Sequence, residues 1–423
     1  MARKTSLLPR PNRLSSDQRA SIFDKTTGKI TTHYFDPRYN GTDWPQRAKQ
    51  SREQIVAIED PEQFELAMHE LVRSLRTSHT GFFHQSVHRV PARLAIGASF
   101  RKVQRDGQTF WVVQDVHEGG PAHRAGLKPM DVLTTINGAS TAAPEQPMFP
   151  MGAQARLTVL RNSDEVILDV DVPVPRSRKQ PYAEPKAVTS STLEASIGYL
   201  KVSILPGLLG LDVAREIDAA VSAVADCDRL ILDLRSHLGG GLGVLRLMSH
   251  LTPEKIPIGY TVTRRKVERG YNKESLRKLD HLPTEKPNPL AILSMAVKFG
   301  IHDPSVALIS EGSARKRWHG RVVILTNEHT VSAGEMVCAF AQENNLARIV
   351  GTQTAGRLIP GSGFKVGQGY MLIMPRAAYI TWGGKTFEGK GVPPDVEVPW
   401  SPEESAAGQD NQLETAIRVV REL

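Results

Sequence analysis

Cysteine is nearly missing from this chain: Cys227 and Cys338 are the only two in 423 residues. That excludes a disulfide framework and a Cys-rich zinc site, and it makes a reducing, cytoplasmic setting the expectation. Long apolar runs are missing as well. None reaches the ~18 residues a membrane span needs, so no membrane association is expected. The opening Met1-Ala2-Arg3-Lys4-Thr5-Ser6 is basic, but no apolar stretch follows it, so no secretory leader is expected. The 13 histidines include no His-Glu-x-x-His, and neither a phosphate loop nor a dinucleotide fingerprint is present. No metal and no cofactor are therefore expected.

What remains is an ordinary folded composition: 40% hydrophobic, 23% charged, with Gly 34 and Pro 28 as punctuation. Disordered, collagenous and coiled-coil chains are excluded. At ~100–200 residues per domain the length implies two to four domains.

The net charge is +8, and it is unevenly placed. Residues 254–320 hold 13 basic and 7 acidic side chains, including Arg264-Arg265-Lys266 and Arg315-Lys316-Arg317. The simplest reading is a solvated insertion. The sharper one is a surface for an acidic partner or another subunit. Nucleic acid is not expected, since no RNP, zinc-finger or helix-turn-helix pattern accompanies the charge.

Four segments follow along the chain. Residues 1–90 read as helical: Asp60-Pro61 is an N-cap followed by proline at the first helical position, and Phe64, Met68, Leu71 and Leu75 recur at helical spacing. The loop Thr77-Ser78-His79-Thr80-Gly81 comes next. Residues 91–174 alternate in short runs between Gly and Pro turns, a β-rich module. Residues 175–196 are Pro-, Lys-, Arg- and Ser-rich and read as a linker. Residues 197–423 alternate apolar strands (197–202, 230–234, 322–326) with helical runs, one over 212–224 with Asp212 as its N-cap. That pattern predicts an α/β core with parallel strands, interrupted by the basic insertion.

Two strand ends carry chemistry. The run 322–326 passes through Asn327-Glu328-His329-Thr330-Val331 into Ser332-Ala333-Gly334-Glu335 and a helix. A serine at such a turn can face solvent at the C-terminal edge of a sheet, with the Ala333 N–H and the helix N-terminus at hand to stabilise an oxyanion. The same four residues are also a capping box, which needs no catalytic role. The run 230–234 ends in Arg235-Ser236-His237-Leu238-Gly239-Gly240-Gly241. Successive glycines let backbone N–H groups approach a ligand closely.

Two resemblances add to this. Pro121-Ala122-His123-Arg124-Ala125-Gly126-Leu127, Asp131-Val132-Leu133 and Ile136-Asn137-Gly138 resemble the PDZ family pattern, with Met130 where that family usually has Gly. A local change of turn is expected there. PDZ domains add a peptide as a strand and cradle its carboxylate on loop N–H groups. The resemblance implies that Ile96, Gly97 and Ala98 form that loop.

The ordered set is similar to the carboxyl-terminal processing (tail-specific) serine protease family. It comprises the 34–44 stretch, the PDZ pattern, Asp233-Leu234-Arg235 before the glycines, the Ser332 turn, Ile349-Val350-Gly351-Thr352-Gln353-Thr354-Ala355-Gly356 and Gly391-Val392-Pro393-Pro394-Asp395. The implied fold is an α/β protease core of ClpP/crotonase-like strand-helix layers, with an N-terminal helical segment and a β-rich PDZ domain. The implied activity is serine endopeptidase cleavage of polypeptide tails or unfolded chains through an acyl-enzyme. A non-catalytic binder on the same fold, or a small-ester or amide hydrolase, is the alternative. The family's usual base is a lysine 25 residues past the serine. Arg357 stands there and stays protonated, so it cannot serve. The tricorn-core branch instead carries a Ser-His pair before the PDZ domain and a Glu before the closing Gly-Val motif. Ser78-His79 and Glu388 match it. The resemblance thus implies Ser332 as nucleophile and His79 as general base, with Ser78 and Glu388 orienting the imidazole. Gly239 or Gly240 would join Ala333 as oxyanion donor, and His237 would line the loop.

Overall fold

The computed structural model describes residues 13–86, 89–105, 107–141, 146–174, 186–194, 196–207, 210–282, 304–312 and 318–423. Its centre is a six-stranded sheet in the order Val188–Glu194, Ile197–Val202, Arg229–Asp233, Val322–Thr326, Arg348–Gly351, Val396–Glu397. The first pair is antiparallel and the rest run parallel. The two middle strands are continuously apolar because both faces are covered. Helices Leu211–Ala223, Gly243–Ser249 and Ala333–Glu343 pack on one face, and Asn411–Glu422 on the other. The α/β layer architecture is as expected.

Residues 188–194 belong to that sheet and not to a linker. Their pattern is mostly exposed, as an edge strand's is, and its polar side chains make it read as linker in the sequence. Asp212 is not a cap: Gly210 stands at the N-cap of Leu211–Ala223, with φ 66°.

The PDZ unit is an antiparallel sheet in the order Ala98–Arg105, Gln108–Val116, Val132–Ile136, Gln154–Arg161, Asp164–Asp171. It closes over Ile96, Phe100, Trp111, Leu133, Phe149 and Leu157. Met130 itself takes the left-handed backbone, φ 74°, a conformation glycine adopts without strain.

The N-terminal unit holds helices Ser16–His33, Trp44–Ala57 and Pro61–Arg73. Asp60 caps the third, its carboxylate accepting from Glu62 N–H and Gln63 N–H. The unit does not close on its own residues. Its core of Trp44, Phe64, Met68 and Phe82 is completed by Val366, Tyr370, Leu372 and Met374 from far along the chain. These come from the hairpin Gly361–Gly367 and Tyr370–Pro375, which pairs with Gly81–His84 as a three-stranded sheet.

The basic insertion is anchored as well. Pro257–Thr263 and Val306–Ile309 join Arg277–Leu279 and Ala377–Thr381 in a four-stranded sheet. The Arg315-Lys316-Arg317 run lies outside the described residues.

Candidate active site

Val322–Thr326 ends in the sheet centre, and the chain turns at Ser332 into the helix Ala333–Glu343. Ser332 has φ 55° and ψ −114°. An ordinary N-cap is extended, whereas this backbone is strained, at a cost of about 1–3 kcal/mol. Two acceptors hold it there. Ser332 N–H donates to Glu335 Oε2 at 3.0 Å and to the Arg357 carbonyl at 3.1 Å. A capping serine needs no such strain, so the turn is built to present the hydroxyl.

His79 stands in the loop after the third helix, also at positive φ, 54°. Its Nδ1 lies 2.9 Å from Ser78 Oγ. Ser78 N–H donates to Glu388 Oε1 at 2.6 Å. Residues 310 apart in sequence thus form one chain of contacts: His79, Ser78, Glu388. The 34–44 stretch buttresses this loop. Asn40 Nδ2 donates to the Leu75 and Arg76 carbonyls (3.2 and 3.0 Å), and Tyr34 Oη lies 3.0 Å from Thr77 Oγ1. The protein packed around His79 pushes its pKa below the usual imidazole value. The Glu388 carboxylate opposes that shift and Arg357 adds to it. Ser332 Oγ makes no hydrogen bond to His79 in this structure. Catalytic hydrogen bonds commonly tighten only when substrate is bound.

One loop, 354–359, ties the two halves together. Glu335 is fully buried and accepts from Thr354 Oγ1 (2.7 Å), Gly356 N–H (2.7 Å) and Arg357 N–H (2.8 Å), besides Ser332. Glu388 Oε2 accepts from Leu358 N–H (2.9 Å) and Ile359 N–H (3.1 Å). The nucleophile turn and the histidine loop are therefore clamped to opposite ends of one six-residue segment. In the sequence Glu335 shows only as a capping residue. Its burial raises its pKa, and the four donors around it pull the other way. Glu335→Ala would strand those donors, at about 1–3 kcal/mol each where they stay buried. The carboxylate's own desolvation offsets part of this. A net destabilisation of about 2–4 kcal/mol is expected in urea unfolding.

The glycine run lies beside the serine. A side chain at Gly239 would sit 2.7 Å from Ser332 Cβ. The Gly239 carbonyl accepts from Leu205 N–H and Gly241 N–H donates to the Leu205 carbonyl, both at 2.9 Å. A trans peptide points its C=O and N–H in opposite directions. The Gly240 N–H therefore faces away from Leu205. Gly240 has φ 147°, and a Cβ there would lie 2.0 Å from the Leu205 oxygen, so only glycine fits. His237 is no loop-lining residue. It is fully buried, with Nδ1 2.8 Å from the Val202 carbonyl, and its ring backs Gly334 of the nucleophile turn.

The PDZ unit bonds to both site loops. Ser99 Oγ donates to Ser236 Oγ (3.0 Å), and Gln114 Oε1 lies 3.0 Å from His329 Nε2. Ile96, Gly97 and Ala98 are buried. The Ile96 N–H is already given to Ala92 O (2.8 Å), and the Ile96 and Gly97 carbonyls accept from Ala122 and His117. As the loop stands, Ile96 cannot donate to a peptide carboxylate.

The α/β core thus carries a strained serine on a strand-to-helix turn, a histidine bonded to a serine that a carboxylate holds, and glycine backbone beside the first serine. Residues 196–398 match the family described as Peptidase family S41, and residues 85–146 match the PDZ domain. Residues 196–398 are thus similar to S41 peptidases and residues 85–146 to PDZ domains.

Among curated proteins, the chain is 26% identical over 313 residues to a Probable CtpA-like serine protease of Staphylococcus aureus (strain N315), covering 72% of this chain and 52% of that one. It is 24% identical over 420 residues to Tricorn protease homolog 1 of Streptomyces coelicolor, covering 94% of this chain and 34% of the other. The chain therefore spans about half, or less, of the length of these relatives. Among solved structures, the photosystem II D1 C-terminal processing protease aligns at TM-score 0.57 and 17% identity, covering 95% of this chain and 97% of that one. Mature CPAF aligns at 0.56 and 13%, covering 96% and 98%. At these identities the two share the fold.

Proposed function

We propose that this protein is a serine endopeptidase acting on polypeptide tails or unfolded chains. The observation that carries the reading is the strained Ser332 turn clamped, through one loop, to the Ser78–His79–Glu388 chain. The CtpA-like and tricorn relatives, and the D1 C-terminal processing protease among structural neighbours, bear the same kind of activity in their names.

In this reading His79 takes the Ser332 hydroxyl proton as Oγ attacks the peptide carbonyl. The developing oxyanion meets the Ala333 N–H and the Gly240 N–H. His79 then protonates the leaving amine, and the acyl-enzyme is hydrolysed by a water that His79 deprotonates. Ser78 holds Nδ1, and Glu388 holds Ser78 and stabilises the imidazolium. Arg357 does not act as a base. The PDZ unit presents substrate by a route other than the Ile96 N–H. The anchored basic insertion offers a surface to an acidic partner or another subunit. A cytoplasmic setting belongs to the same proposal, supported by two free, buried cysteines; cell fractionation tests it.

The test of the activity is digestion of an unfolded protein followed by mass spectrometry of the fragments. Internal cuts are expected from the parent protein. No fragments at any pH between 5 and 9 would overturn the proposal.

A further inference from the structure

The sheet of Gly81–His84, Tyr370–Pro375 and Gly361–Gly367 buries one face, through Phe82, Val366 and Leu372, against the N-terminal helices. Its other face is unusual. The register sets Phe83 beside Met371, and Gly81 and Gly363 on either side of Ile373. Phe83, Met371 and Ile373 are half-buried and, among the described residues, join none of the buried apolar clusters; the exposed Lys365 stands opposite Met371 on the same face. Glycine weakens a strand and often marks close approach by another backbone or ligand. Here Gly363 puts no side chain beside Ile373 on the edge strand, while the His69 ring lies over Gly81 on the other side.

That isoleucine lies beside the catalytic histidine. A Cβ at Gly361 would sit 3.0 Å from His79 Cβ and 3.2 Å from Ile373 Cγ2. A Cβ at Gly363 would sit 3.3 Å from Ile373 Cδ1. Ile373 therefore runs along the two glycines, its Cγ2 branch on the Gly361 side, where His79 stands, and its Cδ1 tip over Gly363. Among the described residues the strand Gly361–Gly367 pairs only with Tyr370–Pro375, so it is an edge. It begins two residues after Ile359, whose N–H is held by Glu388. An extended peptide paired along this edge sets a side chain opposite Gly363, where no side chain separates it from Ile373.

We propose that Ile373, with Met371 and Phe83, forms the floor of a subsite for an apolar side chain of the substrate, close to the bond being cut. The occupant is a large aliphatic or aromatic residue, because Phe83, Met371 and Ile373 are apolar and Gly363 carries no side chain beside Ile373. This rests on the reading of Ser332 and His79 as the catalytic pair. The test is a cut-site profile on a denatured protein, alongside fluorophosphonate labelling. The parent protein enriches Leu, Ile, Met or Phe at one position flanking its cuts. Ile373→Asp lowers that enrichment ~10-fold, the scale set by a mismatched apolar pocket, while labelling is retained. Gly363→Val, which fills the space without touching His79, does the same and covers the case in which Ile373→Asp fails to fold. An unchanged profile in a variant that still labels overturns the subsite. A parent protein that neither labels nor cuts overturns the catalytic reading, and the subsite with it.

Discussion

Ser332→Ala is expected to lower peptide turnover ~10⁴–10⁶-fold while leaving the fold intact. The scale comes from removing a nucleophile that works as a unit with its base. Its neighbours make the result interpretable. The two bonds that hold the turn come from the Ser332 N–H, not from its hydroxyl, and alanine keeps both. The Ala333 and Gly240 N–H groups also remain, so some residual rate above water is expected from oxyanion binding alone. His79→Ala should fall in the same range. The double variant should be no worse than either single one, because the two residues act in one step. The check is kcat on a fragment identified from the digest, with urea unfolding to show that stability is unchanged. Full activity in Ser332→Ala would remove the serine from the chemistry.

Glu388→Gln is expected to cost ~10²–10⁴ in kcat and to move the pH profile in a stated direction. Its two oxygens serve different partners, Ser78 N–H on one and Leu358 and Ile359 N–H on the other. An amide must turn its NH₂ toward one of these donors, so either the histidine loop or the 358–359 backbone loses its acceptor. The charge is lost as well. Turnover needs neutral His79, so kcat/KM rises with pH through the His79 ionisation. In the parent that ionisation lies below the usual imidazole value, owing chiefly to burial. Glu388 raises it, so Glu388→Gln shifts the acid limb to lower pH. Arg357 lowers it, so Arg357→Met shifts the limb to higher pH. Opposite displacements in the two variants would be hard to obtain if His79 were not the titrating base. Equal displacements, or none, would count against it.

Local patterns made part of this site legible and left the rest hidden. The Ser332 turn shows in the sequence because an apolar strand runs straight into Ser-x-x-Glu and a helix. Its strain does not show, since the same four residues describe a plain cap. His79 has no local signal at all: a histidine in a polar loop is ordinarily a surface residue, and only the resemblance singled it out. The partners that give it meaning lie hundreds of residues away, as Glu388 does. The pairing of Tyr370–Pro375 with Gly81–His84 was equally hidden, because strand alternation tells which face is apolar and not which strand is the neighbour. Glu335 was seen as a cap because its long-range acceptor role depends on backbone N–H groups, which carry no residue signature. The Ile96 loop shows the converse. The PDZ resemblance implies a carboxylate cradle there, but the Ala92–Ala95 turn has already taken the Ile96 N–H.

The central claim is that Ser332 is a nucleophile activated by His79. Its most direct test is mass spectrometry of the protein after treatment with a fluorophosphonate. The account predicts one adduct, mapped to Ser332, lost in Ser332→Ala and strongly slowed in His79→Ala. An adduct elsewhere, or none on the folded protein across pH 5 to 9, would contradict it.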